Sequence, residues 1–224
     1  MKNRGIFRTG GVIFFTIAAV FCSLAFSSAV SQDHWRDRLM QPDRTMDAMG
    51  VRPGMVIGEA GAGEGYFTFH LARRVGPSGM IYANDIDRRA LAALDRRCRD
   101  EGVLNVQSVL GEVADPLYPA RELDMIVLVY AFHDFEKRAE WLAAARGYLK
   151  PGAALVIIDR DPDKWGGEFS HFLKKEDVLD ILDRSDYELV RVETFLQREN
   201  IYIFRPSKTL REGASLEGPD DPLL

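Results

Sequence analysis

A run of alternating glycines is the first segment whose residue types could do chemistry. It reads Glu59-Ala60-Gly61-Ala62-Gly63-Glu64-Gly65, and glycines at every second position let a ligand approach the backbone closely. The spacing differs from the G-x-G-x-x-G of dinucleotide-binding proteins. A pyrophosphate here would face two carboxylates, and each like-charge contact at about 4 Å costs on the order of 4 kcal/mol at an effective dielectric of about 20. The loop therefore favours a ligand that carries an ammonium and a sulfonium; the alternative is a tight turn that binds nothing.

Two acidic residues farther along the chain follow predicted strands. Asp85 could accept hydrogen bonds from both hydroxyls of a ribose, each worth roughly 1.5–3 kcal/mol to a charged acceptor. The alternative is a helix cap or a surface carboxylate, and Asp87 is itself a candidate cap. Glu112, next to Val113, could accept from an adenine amino group while a neighbouring backbone N–H donates to the ring. The alternative for Glu112 is a solvated loop acid.

Candidate proton acceptors cluster after the fourth predicted strand, at Tyr130, His133 and Asp134. A general base is useful only if the nucleophile carries a proton. Tyr130 would line the ligand pocket and His133 could take a proton; the alternative for His133 is a residue that only shapes the pocket. His171, in an irregular segment, could reach the same mouth.

We predict no metal site from the sequence. Asp134, Asp159 and Asp161 could supply the carboxylates of a metal site, but Asp134 is displaced along its loop. The chain has two cysteines, Cys22 and Cys98, and only Cys98 lies in the expected folded body. A cysteine-based zinc site or an intramolecular disulfide is therefore not expected.

These residues must be positioned by apolar strands that alternate with amphipathic helices. Such alternation predicts a doubly wound α/β fold, with a mostly parallel sheet whose ligands bind beyond the carboxyl ends of the strands. The last two strands are joined too tightly for a crossover helix, which predicts an antiparallel hairpin. The predicted strands are 55–60, 80–85, 106–110, 123–129, 153–159, 187–196 and 201–204. The predicted helices are 42–49, 66–75, 88–100, 136–149 and 174–184.

Residues 51–206 resemble the class I S-adenosylmethionine-dependent methyltransferases, and among them the small-substrate type. The matching segments, in chain order, are VIGEAGAGEGYF, IYANDID, LGEV, LDMIVLVYAFHDF and LKPGAALVIID. The resemblance implies a Rossmann-like seven-stranded sheet with an antiparallel C-terminal strand, S-adenosyl-L-methionine as cofactor, and methyl transfer to a small-molecule acceptor. The cofactor-binding residues so implied are Glu59, Gly61, Gly63, Gly65, Asp85, Ile86, Glu112, Val113 and Tyr130. The alternative function is an exported, non-catalytic nucleoside-binding or scaffold domain of the same fold.

The composition limits the class of protein to which the chain can belong. The 224 residues are 46% hydrophobic and 28% charged, the balance of a soluble globular protein rather than a disordered or multi-span membrane protein. The formal net charge is −5, so sequence-independent binding to nucleic acid is not expected.

The N-terminus has the pattern of an export signal or membrane anchor. Lys2, Arg4 and Arg8 precede the apolar run VIFFTIAAVFCSLAF and then small residues. We therefore expect residues 1–31 to engage a membrane or the export machinery, which would make the protein exported or membrane-anchored. An N-terminal helical segment is expected over residues 32–50, a methyltransferase domain over 51–206 and a disordered tail over 207–224.

Overall fold

The computed structural model describes residues 34–165 and 171–207. The chain divides into two units, Met1–Met40 and Gln41–Leu224. In the described part of the first unit, residues 34–40 form helix α1.

The second unit alternates strands and helices. Its helices are α2 (Pro42–Met49), α3 (Tyr66–Val75), α4 (Arg88–Glu101), α5 (Arg138–Arg146), α6 (Pro162–Trp165) and α7 (Lys175–Arg184), with a 3₁₀ turn at Phe132–Asp134. Its strands are β1 (Val56–Ala60), β2 (Met80–Asp85), β3 (Val106–Leu110), β4 (Leu123–Val129), β5 (Leu149–Arg160), β6 (Tyr187–Glu193) and β7 (Glu199–Pro206).

The strands form one sheet in the order β3-β2-β1-β4-β5-β7-β6. Strands β1 to β5 are parallel, and β7 pairs antiparallel with both β5 and β6. The predicted doubly wound sheet, its antiparallel strand and the terminal hairpin are therefore confirmed. The chain order reverses between β1 and β4, so the carboxyl ends of these strands border the crevice in which such sheets bind ligands.

Local sequence signals fix the helices beside this crevice. Helix α3 lies between Gly65 and Gly76. Helix α4 begins after Asp87, whose side chain accepts a hydrogen bond from the Arg89 backbone N–H at 2.7 Å, and ends at Gly102. Asp87 is therefore the predicted cap, which leaves Asp85 available for another role.

The core lies on both faces of the sheet. Strand β4 is buried at every position except Asp124, as expected for a central parallel strand. Trp141 and Phe132 pack in the larger cluster, and Leu94 and Cys98 pack in a smaller one beneath α4. Each such large apolar side chain contributes about 1.5–3 kcal/mol through burial. Burial also raises the pKa of the Cys98 thiol, which makes it a poor nucleophile.

The fifth strand and the helix before it differ from the prediction. Helix α5 ends at Arg146 instead of 149, and β5 begins at Leu149 instead of 153. Pro151 lies at this boundary, where a proline favours a break in the element, but a register shift between Leu123 and Met125 accommodates it in the strand. Lys150 Nζ also lies 2.6 Å from Asp124 Oδ1, which ties the start of β5 to β4.

Some predictions concern residues outside the described ranges: the export segment over 1–31, most of the tail over 207–224, and positions 166–170. Within residues 34–165 and 171–207, no helix has both the length and the apolar character needed to cross a membrane.

Candidate active site

A cavity of about 270 Å³ opens at the carboxyl ends of the central strands. This volume is near the lower end of small-molecule sites, about 300–1,000 Å³. Its walls come from the ends of β1 and β2, the turn after β3 and the segment after β4. Six of the nine predicted cofactor residues line it: Gly61, Asp85, Ile86, Glu112, Val113 and Tyr130. Glu59, Gly63 and Gly65 are not among its lining residues.

Asp85 ties the glycine-rich loop to the end of β2. Its Oδ2 accepts a hydrogen bond from the Gly63 backbone N–H at 2.8 Å, and its Oδ1 accepts one from the Asp87 N–H at 2.9 Å. A carboxylate can accept about four hydrogen bonds, so Asp85 retains acceptor capacity toward the cavity. The same side chain can thus shape the loop and bind a ligand.

The three glycines of the loop do different things. All three have positive φ, which L-residues with a Cβ adopt at a cost of roughly 1–2 kcal/mol. A Cβ at Gly61 would collide with Ala131 on the cavity wall, whereas one at Gly63 would meet no atom within 4 Å. A Cβ at Gly65 would collide with Leu94 and press on Phe69. Gly65 therefore serves the packing of α3 against α4.

Glu59 lies beneath the loop rather than on the cavity surface. It is 2% exposed, and its Oε2 accepts a hydrogen bond from Thr68 Oγ1 at 2.6 Å. Burial raises the pKa of Glu59 to about 8, and the nearby Asp85 charge adds to the rise. The carboxyl is therefore mostly neutral at pH 7, so the prediction that two loop carboxylates face the ligand is wrong for Glu59 and leaves the charge of Glu64 alone. Glu64 is exposed.

Tyr130 has a strained backbone at the end of β4. Its φ is 55°, a conformation that bulky residues seldom adopt outside functional sites. The hydroxyl donates to Glu199 Oε1 at 2.6 Å, and burial raises the pKa of Tyr130 well above its usual value. Tyr130 is consequently a poor proton acceptor, and its role is to line the cavity.

His133 belongs to a polar cluster at the cavity edge. Its Nδ1 lies 2.9 Å from both carboxylate oxygens of Asp159, and its Nε2 lies 3.3 Å from Asp134 Oδ2. His171 Nε2 lies 3.3 Å from the other oxygen, Asp134 Oδ1. Asp134 also lines the cavity. The structure thus joins His133 and His171 through Asp134, an arrangement that can hold a proton or a cation.

Asp161 does not join this cluster. Its two carboxylate oxygens accept from the Asn200 side chain at 2.6 Å and from the Asp163 N–H at 3.0 Å. The three aspartates considered as metal ligands from the sequence therefore contact different partners and do not form one ligand set.

Sequence reasoning missed several residues of the cavity wall. Asn84 lines it while its side-chain amide donates to the carbonyls of Val109 and Pro116. Its position beside Asp85 at the end of β2 could have identified it as a residue of the cavity wall. The other lining residues not predicted to bind the cofactor are Ala131, Asp134, Phe135, Glu136 and Trp141. Trp141 was expected in the core, and it both packs there and closes one side of the cavity.

Known proteins resemble this chain in sequence and in fold. Residues 57–152 match a protein family described as a methyltransferase domain. The ubiquinone/menaquinone biosynthesis C-methyltransferase UbiE of Shewanella pealeana is 26% identical over 146 residues, which are 64% of this chain and 58% of that relative. The chain thus spans little more than half the length of this curated relative.

Solved structures show the same fold. A SAM-dependent methyltransferase from Aquifex aeolicus superposes with a TM-score of 0.70 at 23% identity, covering 75% of this chain and 92% of the other. Fibrillarin from Aeropyrum pernix, with natively bound S-adenosyl-L-methionine, superposes with a TM-score of 0.54 at 19% identity. The match covers 69% of this chain and 67% of fibrillarin. Residues 57–152 therefore match the methyltransferase-domain family, and the chain has the fold of these S-adenosylmethionine-dependent methyltransferase structures.

Proposed function

We propose that the protein is an S-adenosylmethionine-dependent methyltransferase with a small-molecule acceptor. The observation that carries the proposal is the convergence of Asp85, Glu112 and Tyr130 on one cavity beside a glycine loop. The name of the curated relative describes a C-methyltransferase of quinone biosynthesis, which supports a small acceptor.

The side chains around the cavity fit this cofactor. Asp85 has acceptor capacity for ribose hydroxyls, and Glu112 with the exposed Val113 forms a rim for a flat base. The backbone N–H of Glu112 is already bonded to the Asp115 carbonyl at 2.8 Å, so base recognition falls to the Glu112 side chain and the Val113 backbone. Gly61 and Gly63 leave the loop backbone open to close approach. S-adenosylmethionine, when bound, supplies a methyl group on a sulfonium.

The chain's own contribution is to position the reactants and to exclude water. Phe135 and Trp141 provide an apolar wall opposite the polar strand ends. Tyr130 is held by Glu199 and presents its ring to the cavity. We assign the handling of an acceptor proton to the cluster of His133, Asp134 and His171, because Tyr130 has too high a pKa.

Isothermal titration with S-adenosylhomocysteine tests the proposal. Wild-type protein should bind it with micromolar affinity. Asp85→Ala should weaken binding roughly a hundredfold, since losing hydrogen bonds to a charged acceptor costs about 2–4 kcal/mol. Asp87→Asn is the matched control, because asparagine also caps helices, and it should bind like wild type. Failure of the wild type to bind would favour the scaffold alternative.

We further propose that residues 1–31 direct the protein to a membrane or across it. The support is the basic flank followed by an apolar run and small residues. The same run would also place the acceptor-binding domain near a lipid surface. Fractionation of cells that express a C-terminally tagged chain tests this, and recovery from the cytosol alone would refute it.

A further inference from the structure

We propose that His133, Asp134 and His171 bind one divalent transition-metal ion at the edge of the cavity. One ligand atom from each residue lies within 4.8 Å of the other two. The two histidine Nε2 atoms each lie 3.3 Å from a different oxygen of Asp134. A tetrahedral zinc ion with bonds of about 2.0–2.2 Å holds neighbouring donors about 3.3–3.6 Å apart. Each histidine Nε2 lies at this spacing from one Asp134 oxygen, and because the two oxygens differ, a single ion would bind both oxygens or draw one of them toward both histidines.

Asp159 orients His133 for such a role. It is 3% exposed, and its two oxygens lie 2.9 Å from His133 Nδ1. The His133 backbone N–H also donates to Asp159 Oδ2, at 3.2 Å. A carboxylate on Nδ1 fixes the proton there and leaves the Nε2 lone pair facing Asp134. Histidine ligands of metals almost always donate their second ring N–H in this way.

The cluster therefore gathers electron-pair donors around one point. With its proton on Nδ1, His133 presents the lone pair of Nε2 to Asp134 at 3.3 Å, and this contact is repulsive unless a second proton or a metal ion lies between the two groups. Two imidazoles with one carboxylate suit Zn²⁺, Fe²⁺ or Co²⁺, whereas Mg²⁺ and Ca²⁺ prefer oxygen ligands alone.

Aromatic contacts hold the His171 segment against the cluster. The ring of Phe172 packs edge-on to His133 with centroids 4.6 Å apart, and the His171 ring packs edge-on to His133 at 4.9 Å. The Arg160 guanidinium lies 5.1 Å above the Phe172 ring and 5.2 Å above that of Tyr130. The side chains of Asp134 and His171 are nevertheless 61% and 65% exposed, so a bound ion would keep coordination positions open.

The chemical consequence rests on the proposed function. An ion with three protein ligands can take an oxygen of the acceptor at an open position and lower the pKa of that hydroxyl. The proton then leaves to water, and the oxygen keeps the electron pair that a nucleophile needs. This narrows the acceptor to a small molecule with a hydroxyl or enol oxygen.

Titration of the tag-free, metal-stripped full chain with Co²⁺ tests the site. We expect saturable visible absorption at one ion per chain. Zn²⁺ should displace Co²⁺, and millimolar Mg²⁺ should not. His171→Ala and Asp134→Asn should each weaken Co²⁺ binding at least tenfold, and both positions are exposed, so the fold should survive. His34→Ala, which removes an exposed histidine of helix α1, should bind like wild type.

A positioning variant sharpens the test. Asp159→Asn should lower Co²⁺ affinity by about 10–100-fold without removing a ligand. Absence of saturable binding, or equal affinity in His171→Ala and wild type, would overturn the site and leave a shared proton as the bridging charge. Metal binding without S-adenosylhomocysteine binding would refute the proposed function and leave the site standing. The reverse result would refute the metal site alone.

Discussion

Replacement of Glu59 by glutamine should make the protein more stable at alkaline pH. Burial raises the pKa of this carboxyl from 4.5 to about 8. The unfolded chain loses the proton near pH 4.5, whereas the folded protein holds it up to about pH 8. Because the folded state binds more protons in this window, the free energy of unfolding of the wild type falls as the pH rises through it.

The size of the effect follows from the pKa difference. The pKa rises from 4.5 to about 8, a difference of about 3.5, and each pKa unit corresponds to about 1.36 kcal/mol, which gives on the order of 5 kcal/mol. Glutamine carries no proton to lose, and its amide oxygen can still accept from Thr68. Glu59→Gln should therefore match the wild type within about 1 kcal/mol at pH 5 and exceed it by up to about 5 kcal/mol at pH 9.

Urea unfolding followed by circular dichroism at pH 5, 7 and 9 measures this difference. Glu64→Gln is the control, because it removes an exposed carboxyl from the same loop and should keep the wild-type pH dependence. Equal pH slopes for wild type and Glu59→Gln would mean that burial does not hold the proton, and the reasoning would be wrong.

Three further substitutions probe the structure. Gly65→Val should cost about 2–4 kcal/mol in urea unfolding, because its side chain would collide with Leu94 at a positive φ; wild-type stability would contradict the packing role. Gly63→Val should lower the free energy of unfolding by only about 1–2 kcal/mol, since its Cβ meets no atom within 4 Å. The same variant should abolish S-adenosylhomocysteine binding in calorimetry. An unchanged affinity would remove the loop from the site. Tyr187→Phe should lower the free energy of unfolding by about 1–2 kcal/mol, because the Tyr187 hydroxyl donates to the Leu142 carbonyl at 3.0 Å in the core. An unchanged melting temperature would refute that contribution.

Elements bounded by clear local signals could be predicted closely from the sequence. Glycines flank α3, and continuous apolar runs mark β4, so these elements have the predicted ends. The start of β5 could not be predicted, because Pro151 reads locally as a break. Its acceptance in a strand goes with the register shift in the pairing of β4 with β5, which is a tertiary feature.

Some residues of the candidate site could likewise be predicted from the sequence, and others could not. Asp85 and Glu112 follow strand ends, and the carboxyl ends of parallel strands meet at one edge, so topology alone brings them together. The sequence predicts that His171 can reach the mouth of the cavity, and its Nε2 lies 3.3 Å from Asp134 Oδ1, but no periodic pattern encodes that particular contact. The neutral state of Glu59 also escaped prediction, because the burial of a carboxyl is a property of the packed loop.

The place of β7 in the sheet has a consequence for biosynthesis. Among the described residues it is the last strand in chain order, yet it lies between β5 and β6 in the sheet. While the ribosome is still adding residues 199–206, the nascent sheet has a gap with two unpaired edges, of the kind that invite association with other chains. Chaperone engagement of nascent chains should therefore persist until this last segment has left the exit tunnel.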